Sequence, residues 1–210
     1  MPVTIDELVL AAKPELWTEL GFRVDGDVCD VGTVRFRLDP AAGRGVAAWS
    51  LRDLDTTDLD GLATSISATE PREPAEPHPN GVTGVDHVVV FSPDLDRTVG
   101  VLEGAGFDLR RIREEPTPAG APRQAFFRLD DVIVECVQLA DSPGLDRSRN
   151  SRLWGLALRI ADMEQTVRVL GDKLGEPRPA IQEGRTIATL RRSESGSSVP
   201  LAFMTPDASR

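Results

Sequence analysis

Residues 84–111 read GVDHVVVFSPDLDRTVGVLEGAGFDLRR, and the fold follows from how this stretch divides. Val85 to Phe91 is dense in β-branched and aromatic side chains, which favours a strand. Pro93 and Asp94 then open a helix: proline loses no needed donor in the first turn, and aspartate suits the positive end. Leu95, Val99 and Leu102 form an apolar stripe at helical spacing, and Gly106 is placed to end it. "DLRRIREE" resumes as a strand, and "RQAFFRL" and "DVIVECVQL" supply two more. The unit is one strand, one helix and three strands.

The same order recurs from Leu153, as "LWGLALRI", "ADMEQTVRVLGDKLG", "EPRPAIQ", "RTIATLRR" and "VPLAFMT". Aligning "HVVVFSPDLD" with "GLALRIADME" pairs His87 with Gly155, an offset of 155 − 87 = 68 residues. In the second helix Asp162 opens, Met163, Val167 and Leu170 make the stripe, and Gly175 closes. Two βαβββ units are therefore expected over 83–142 and 152–206. Residues 1–68 read as a third, eroded copy, with a shortened helix in "KPELWTELGF", strands in "FRVDGDVC" and "TVRFRL", and a closing strand in "GVAAWSLRDL". Glu7 takes the place of His87 in that copy. Between them, 69–82 is a Pro-rich linker with an extended character, and "HPNG" at its end, with His78 and Asn80, is turn chemistry.

Composition narrows the function. A net charge of −10 and the absence of tyrosine argue against a nucleic-acid surface, which needs basic groups and stacking platforms. The start has no basic n-region, and no run is long enough to span a membrane, so the expected location is the cytoplasm. Cys29 and Cys136 sit far apart in apolar runs without metal-ligand spacing and are expected to pack as small hydrophobes. There is no Gly-rich phosphate loop, serine elbow or CxxC.

"VDHVVVFSPDLDRTV", the "GAGF" helix end, "FFRLDDVIVECV" and "WGLALRIADMEQTVRVLGDKLG" resemble the vicinal-oxygen-chelate superfamily, which includes glyoxalase I, extradiol dioxygenases and bleomycin-resistance proteins. The resemblance implies an α+β fold in which paired βαβββ modules form a curved mixed sheet around a cavity, here with a degenerate N-terminal module. It also implies a divalent metal (zinc, nickel, manganese or iron) held by one first-strand residue and one last-strand glutamate from each module. Carried over by position, His87 and Glu135 supply half of that set. Gly155 and Ala202 stand at the other two places and cannot ligate.

Glu135 is also anomalous on its own terms. Within "VIVECVQL" it shares a face with Ile133 and Val137, where a bare carboxylate costs several kcal/mol unless paired, hydrated, metal-bound or protonated. His87 and Glu135 are thus candidates for metal ligation, for metal-free acid/base catalysis, or for a structural pair. Arg123 and Arg185, at matching places, could neutralise an anionic ligand, and Trp154 and Phe126 could line the cavity. The bland readings are surface arginines and core aromatics. The implied function is a glyoxalase-like protein that binds a small molecule in the cavity, a lyase or isomerase with an incomplete metal site. The alternative is a non-enzymatic, drug-sequestering binder. The odd N-terminal unit must pack on the main domain or on a second chain, so a homodimer is a further expectation.

Overall fold

A computed structural model describes residues 2–117 and 120–206. Its first part contains β1 (Thr4–Leu10), α1 (Pro14–Glu19), β2 (Val28–Val31), β3 (Val34–Leu38), β4 (Val46–Arg52) and β5 (Thr64–Ile66). There follow β6 (Val82–Ser92), α2 (Leu95–Gly104), β7 (Asp108–Arg113), β8 (Gln124–Leu129) and β9 (Val132–Gln138). The last part holds β10 (Arg152–Ile160), α3 (Met163–Leu170), β11 (Arg178–Pro179), β12 (Thr186–Thr189), α4 (Arg192–Ser195) and β13 (Leu201–Met204). No helix among the described residues is long and apolar enough to cross a membrane.

The helices begin where the sequence caps them. Asp94 accepts a hydrogen bond from the Arg97 N–H at 3.1 Å, and Asp162 accepts one from the Glu164 N–H at 2.9 Å. Leu95, Val99 and Leu102 are buried under α2, and Gly106 takes a left-handed φ of 91° just past its end. The second helix departs from expectation. Thr166 and Leu170 form its buried face and Val167 is exposed, while Gly171 with φ 55° closes it ahead of Gly175.

Eight strands form one sheet in the order β11-β12-β13-β10-β6-β9-β8-β7. In each half the first strand pairs in parallel with the last, β6 with β9 and β10 with β13. The halves meet along the antiparallel β6/β10 seam. The remaining five strands follow the same plan with fewer members, in the order β2-β3-β1-β4-β5. β4 runs antiparallel to β1, so it holds the place that β10 holds beside β6. It does not close the first unit, as its sequence position suggests; β3 does, in parallel with β1.

One apolar core joins the two sheets. Val88, Val90, Phe127, Val134, Cys136, Leu156 and Phe203 line one face of the large sheet, and Leu8, Phe36, Trp49 and Leu51 belong to the same buried cluster. Phe107, just after α2, bridges them, 6.0 Å from Trp49 and 6.1 Å from Phe127. The opposite face of the large sheet carries His87, Phe91, Phe126, Ile133, Glu135 and Val137, all half-buried, and it is the open one. The turn at Pro79–Asn80 is packed down: the His78 Nδ1 accepts from the Arg23 N–H, its Nε2 faces the Asp30 carbonyl, and Asn80 is fully buried. Both cysteines are buried and unpaired, and burial pushes the Cys29 thiol up to about 12, with Asp30 adding to the shift.

Candidate functional site

The site is built on β6, where an irregularity changes which side chains meet. Ala157 faces His87 across the seam, but the next residue of β10, Leu158, faces Val85, so Asp86 is an extra residue in a bulge. Strict alternation would place Asp86 and His87 on opposite faces. The bulge instead lets the Asp86 carboxylate reach the His87 Nδ1, 3.0 Å away. On the other side of the ring, Nε2 lies 3.3 Å from Glu135 Oε2. A neutral imidazole has one N–H and can satisfy only one of these carboxylates, whereas the imidazolium donates to both.

Both carboxylates are held from behind. Arg185 binds Asp86 through its guanidinium and donates from Nε to the Thr205 carbonyl at 2.8 Å. The Gln124 amide N–H donates to Glu135 Oε1. Gln124 is buried, and its own amide oxygen has no partner among the described residues. Burial by itself would raise the Asp86 carboxyl. Hydrogen bonds from His87 and Arg185, and the attraction of both, outweigh it and hold the group at about 2. The result is a continuous chain, Arg185–Asp86–His87–Glu135–Gln124, with the three central side chains only 15–16% exposed.

The other sequence candidates are dispersed around this chain. Phe126 lies opposite Glu135 in the β8/β9 register and borders it. Trp154 is half-buried and stacks on Phe91 with ring centroids 4.7 Å apart. Arg123 lies apart from the chain, bound by Glu114 at 2.7 Å and Asp96 at 2.9 Å. Glu7 is held by Arg37 at 2.9 Å within the five-stranded sheet, so it does not complete the His87 site. Sequence reasoning missed Asp86, because alternation hides it, and Gln124, although its position two residues before Phe126 puts it on that same face.

Searches with the sequence match no protein-family model and no curated protein. Solved structures of similar architecture exist. A mutant 4-hydroxymandelate synthase from Streptomyces coelicolor aligns over 100% of this chain and 94% of its own, at 14% identity and a TM-score of 0.64. A xylose isomerase-like TIM barrel/4-hydroxyphenylpyruvate dioxygenase fusion protein aligns over 99% of this chain and 49% of its own, at 12% identity and a TM-score of 0.62. The chain has the vicinal-oxygen-chelate fold. Methylmalonyl-CoA epimerase from Mycobacterium tuberculosis, at 20% identity, covers 61% of this chain and 91% of its own with a TM-score of 0.48. At these identities the likeness shows the fold alone.

The resemblance to the vicinal-oxygen-chelate family implies a divalent metal. The His87 and Glu135 heads are spaced as two ligands of one ion could be, but among the described residues no group of three or more His, Cys, Asp or Glu could hold a metal. Ala202 faces Ala157, two residues past Gly155, just as Glu135 faces Val89, two residues past His87, so it occupies the register place of the missing glutamate. At Gly155 a side chain has no room: a Cβ there would lie 2.6 Å from the Pro200 carbonyl oxygen and 2.9 Å from its Cβ. These residues do not make up the donor set of a resident metal.

Proposed function

We propose that this is a glyoxalase-like protein that binds a small molecule on the open face of its large sheet and moves a proton on it, as a lyase or isomerase, with His87 and Glu135 as acid and base. The observation that carries the reading is the chain from Arg185 to Gln124. A structural ion pair needs two charges; this one places a ring between two carboxylates and fixes both of them from outside. Gln124 occupies one oxygen of Glu135 and leaves the other beside the His87 Nε2. Asp86, fixed by Arg185, sets the ring orientation.

A carbon acid bound here, with its C–H toward Glu135 and its carbonyl oxygen toward His87, would react by a balanced transfer. Glu135 takes the proton, the electron pair moves onto the carbonyl oxygen, and the His87 N–H stabilises the enolate formed. Return of the proton to carbon, or loss of a β-leaving group, completes an isomerase or lyase cycle. Each group contributes on the order of 10²–10⁴ in rate.

The test is solvent-deuterium exchange at the α-carbon of a panel of enolisable 2-oxo and 2-hydroxy acids and thioesters, followed by NMR. Exchange with at least one compound is expected from the wild type, with a loss of about a hundredfold or more in Glu135→Gln and in His87→Ala. Tight stoichiometric binding without exchange or product would support the drug-sequestering alternative. No exchange and no binding across the panel would remove both readings for those compounds.

A further inference from the structure

Beyond the C-terminal half of β6 the open face ends in a cavity of about 160 Å³, lined by Phe91, Pro93, Leu139, Leu145, Arg149 and Arg152 among others. Phe91 is the aromatic residue of its lining. Phe91 stacks on Trp154 with planes 28° apart, and the Arg152 guanidinium carbon lies 5.0 Å from the Phe91 ring centre. Arg152 faces Phe91 across the β6/β10 seam, so both belong to the open face.

The charge at the rim is positive. The nearby Arg147 is bound to Asp141 at 2.5 Å, but among the described residues neither Arg149 nor Arg152 has such an ion pair. Asp146 also lines the cavity, and its carboxylate is engaged by the backbone N–H and hydroxyl of Ser148 at 2.9 and 2.6 Å. In a protein of net charge −10, Arg149 and Arg152 against the single carboxylate of Asp146 leave this cavity a net positive lining, with Arg152 over the Phe91 ring.

We infer that this cavity is a binding site for a small anion carrying one flat ring, with the ring against Phe91 and the negative group on Arg152. The size agrees, since a dry apolar cavity of roughly 150 Å³ holds one benzene ring. The inference goes beyond the acid–base reading and does not depend on it, because neither His87 nor Glu135 lines the cavity.

Tryptophan fluorescence tests it directly. Trp17 and Trp49 are 0% and 1% exposed, and Trp154, stacked on Phe91, is the tryptophan beside the cavity. Benzoate is the probe, with benzyl alcohol and acetate as partners that lack the charge or the ring. Benzoate is expected to change the emission saturably with a Kd of about 1 mM, in the range of so small a ligand. Both partners should bind at least about tenfold more weakly. Arg152→Gln should weaken benzoate by about tenfold and Arg152→Lys should restore most of it. Arg152 is exposed, so both variants are expected to fold. Linear, unsaturated quenching, equal binding of benzyl alcohol, or unchanged affinity in Arg152→Gln would each overturn the inference. Benzoate binding retained in Glu135→Gln, alongside lost proton exchange, would show the two sites to be separable.

Discussion

Asp86 shows how much one residue can carry without announcing itself. Its carboxyl is held at about 2 against an ordinary 3.8, so the bond network favours the ionised form in the folded protein. A depressed carboxyl contributes stability that is fully present above the unfolded value and lost as pH falls through the folded one. The window is therefore pH 3.8 down to about 2, and the difference amounts to about 2 kcal/mol. Asp86→Asn is expected to lose about that much at pH 7 and to flatten the acid limb of a urea-melt series. An unchanged limb would mean that the pairing with His87 and Arg185 does not hold in solution. Gly155 makes the opposite case, a residue defined by what it leaves out. With the Pro200 carbonyl 2.6 Å from where a Cβ would stand, Gly155→Ala forces β10 and β13 apart. A cost of about 1–3 kcal/mol is expected by chemical denaturation. The same contact explains why this place in the fold cannot simply regain a metal ligand by substitution.

At the scale of elements, helix α3 separates what periodicity reveals from what packing selects. Met163, Val167 and Leu170 share a stripe by spacing, yet the helix buries Leu170 and Thr166 and leaves Val167 38% exposed. The reason is a polar anchor: the Thr166 hydroxyl donates to the Asn80 carbonyl at 2.8 Å, which rolls the helix toward the turn before β6. Leu170→Ala is accordingly expected to cost about 2–5 kcal/mol, and Val167→Glu to stay within about 0.5 kcal/mol. Equal losses in thermal melts would show that the helix sits on its apolar stripe after all. Bulges are the second lesson at this scale. β1 carries one at Asp6, β6 at Asp86 and β10 at Trp154, each where the register against the neighbouring strand shifts. In β1 the residue after the bulge is Glu7, and its partner Arg37 sits two places past the residue opposite it, as Glu135 does relative to His87. The small sheet thus holds a closed ion pair where the large sheet holds its candidate site.

For the whole molecule, the N-terminal sheet is structural support for the site rather than an appendage. Asp60, in a left-handed turn with φ 54° and with its side chain 6% exposed, accepts from the Arg97 Nε at 2.7 Å and from the Thr98 and Ser151 hydroxyls at 2.6 Å. Burial would raise its carboxyl, but those hydrogen bonds keep it low. One side chain from the first part of the chain thereby ties α2 to the segment leading into β10. Asp60→Ala leaves Arg97 and two hydroxyls without their acceptor, and a loss of about 3 kcal/mol is expected, with one cooperative transition in calorimetry. Two separate transitions in the wild type would contradict the shared core. By itself the sequence determined the alternation of strands and helices, the duplicated βαβββ order and the motifs that carry the resemblance to the fold. Those features are written in local spacing and in a repeat, which a single chain displays without being folded, whereas the closeness of His87 to Glu135 was implied only through that resemblance. Only the tertiary structure decided that Asp86 and Arg185 join the site, that Glu7 is spent on Arg37, that Arg123 faces elsewhere, and that β4 pairs antiparallel with β1. These depend on bulges, on strand register and on which sheet covers which face. A bulge moves a side chain across a sheet without leaving a mark in hydrophobic periodicity, because alternation only records where a regular strand would point.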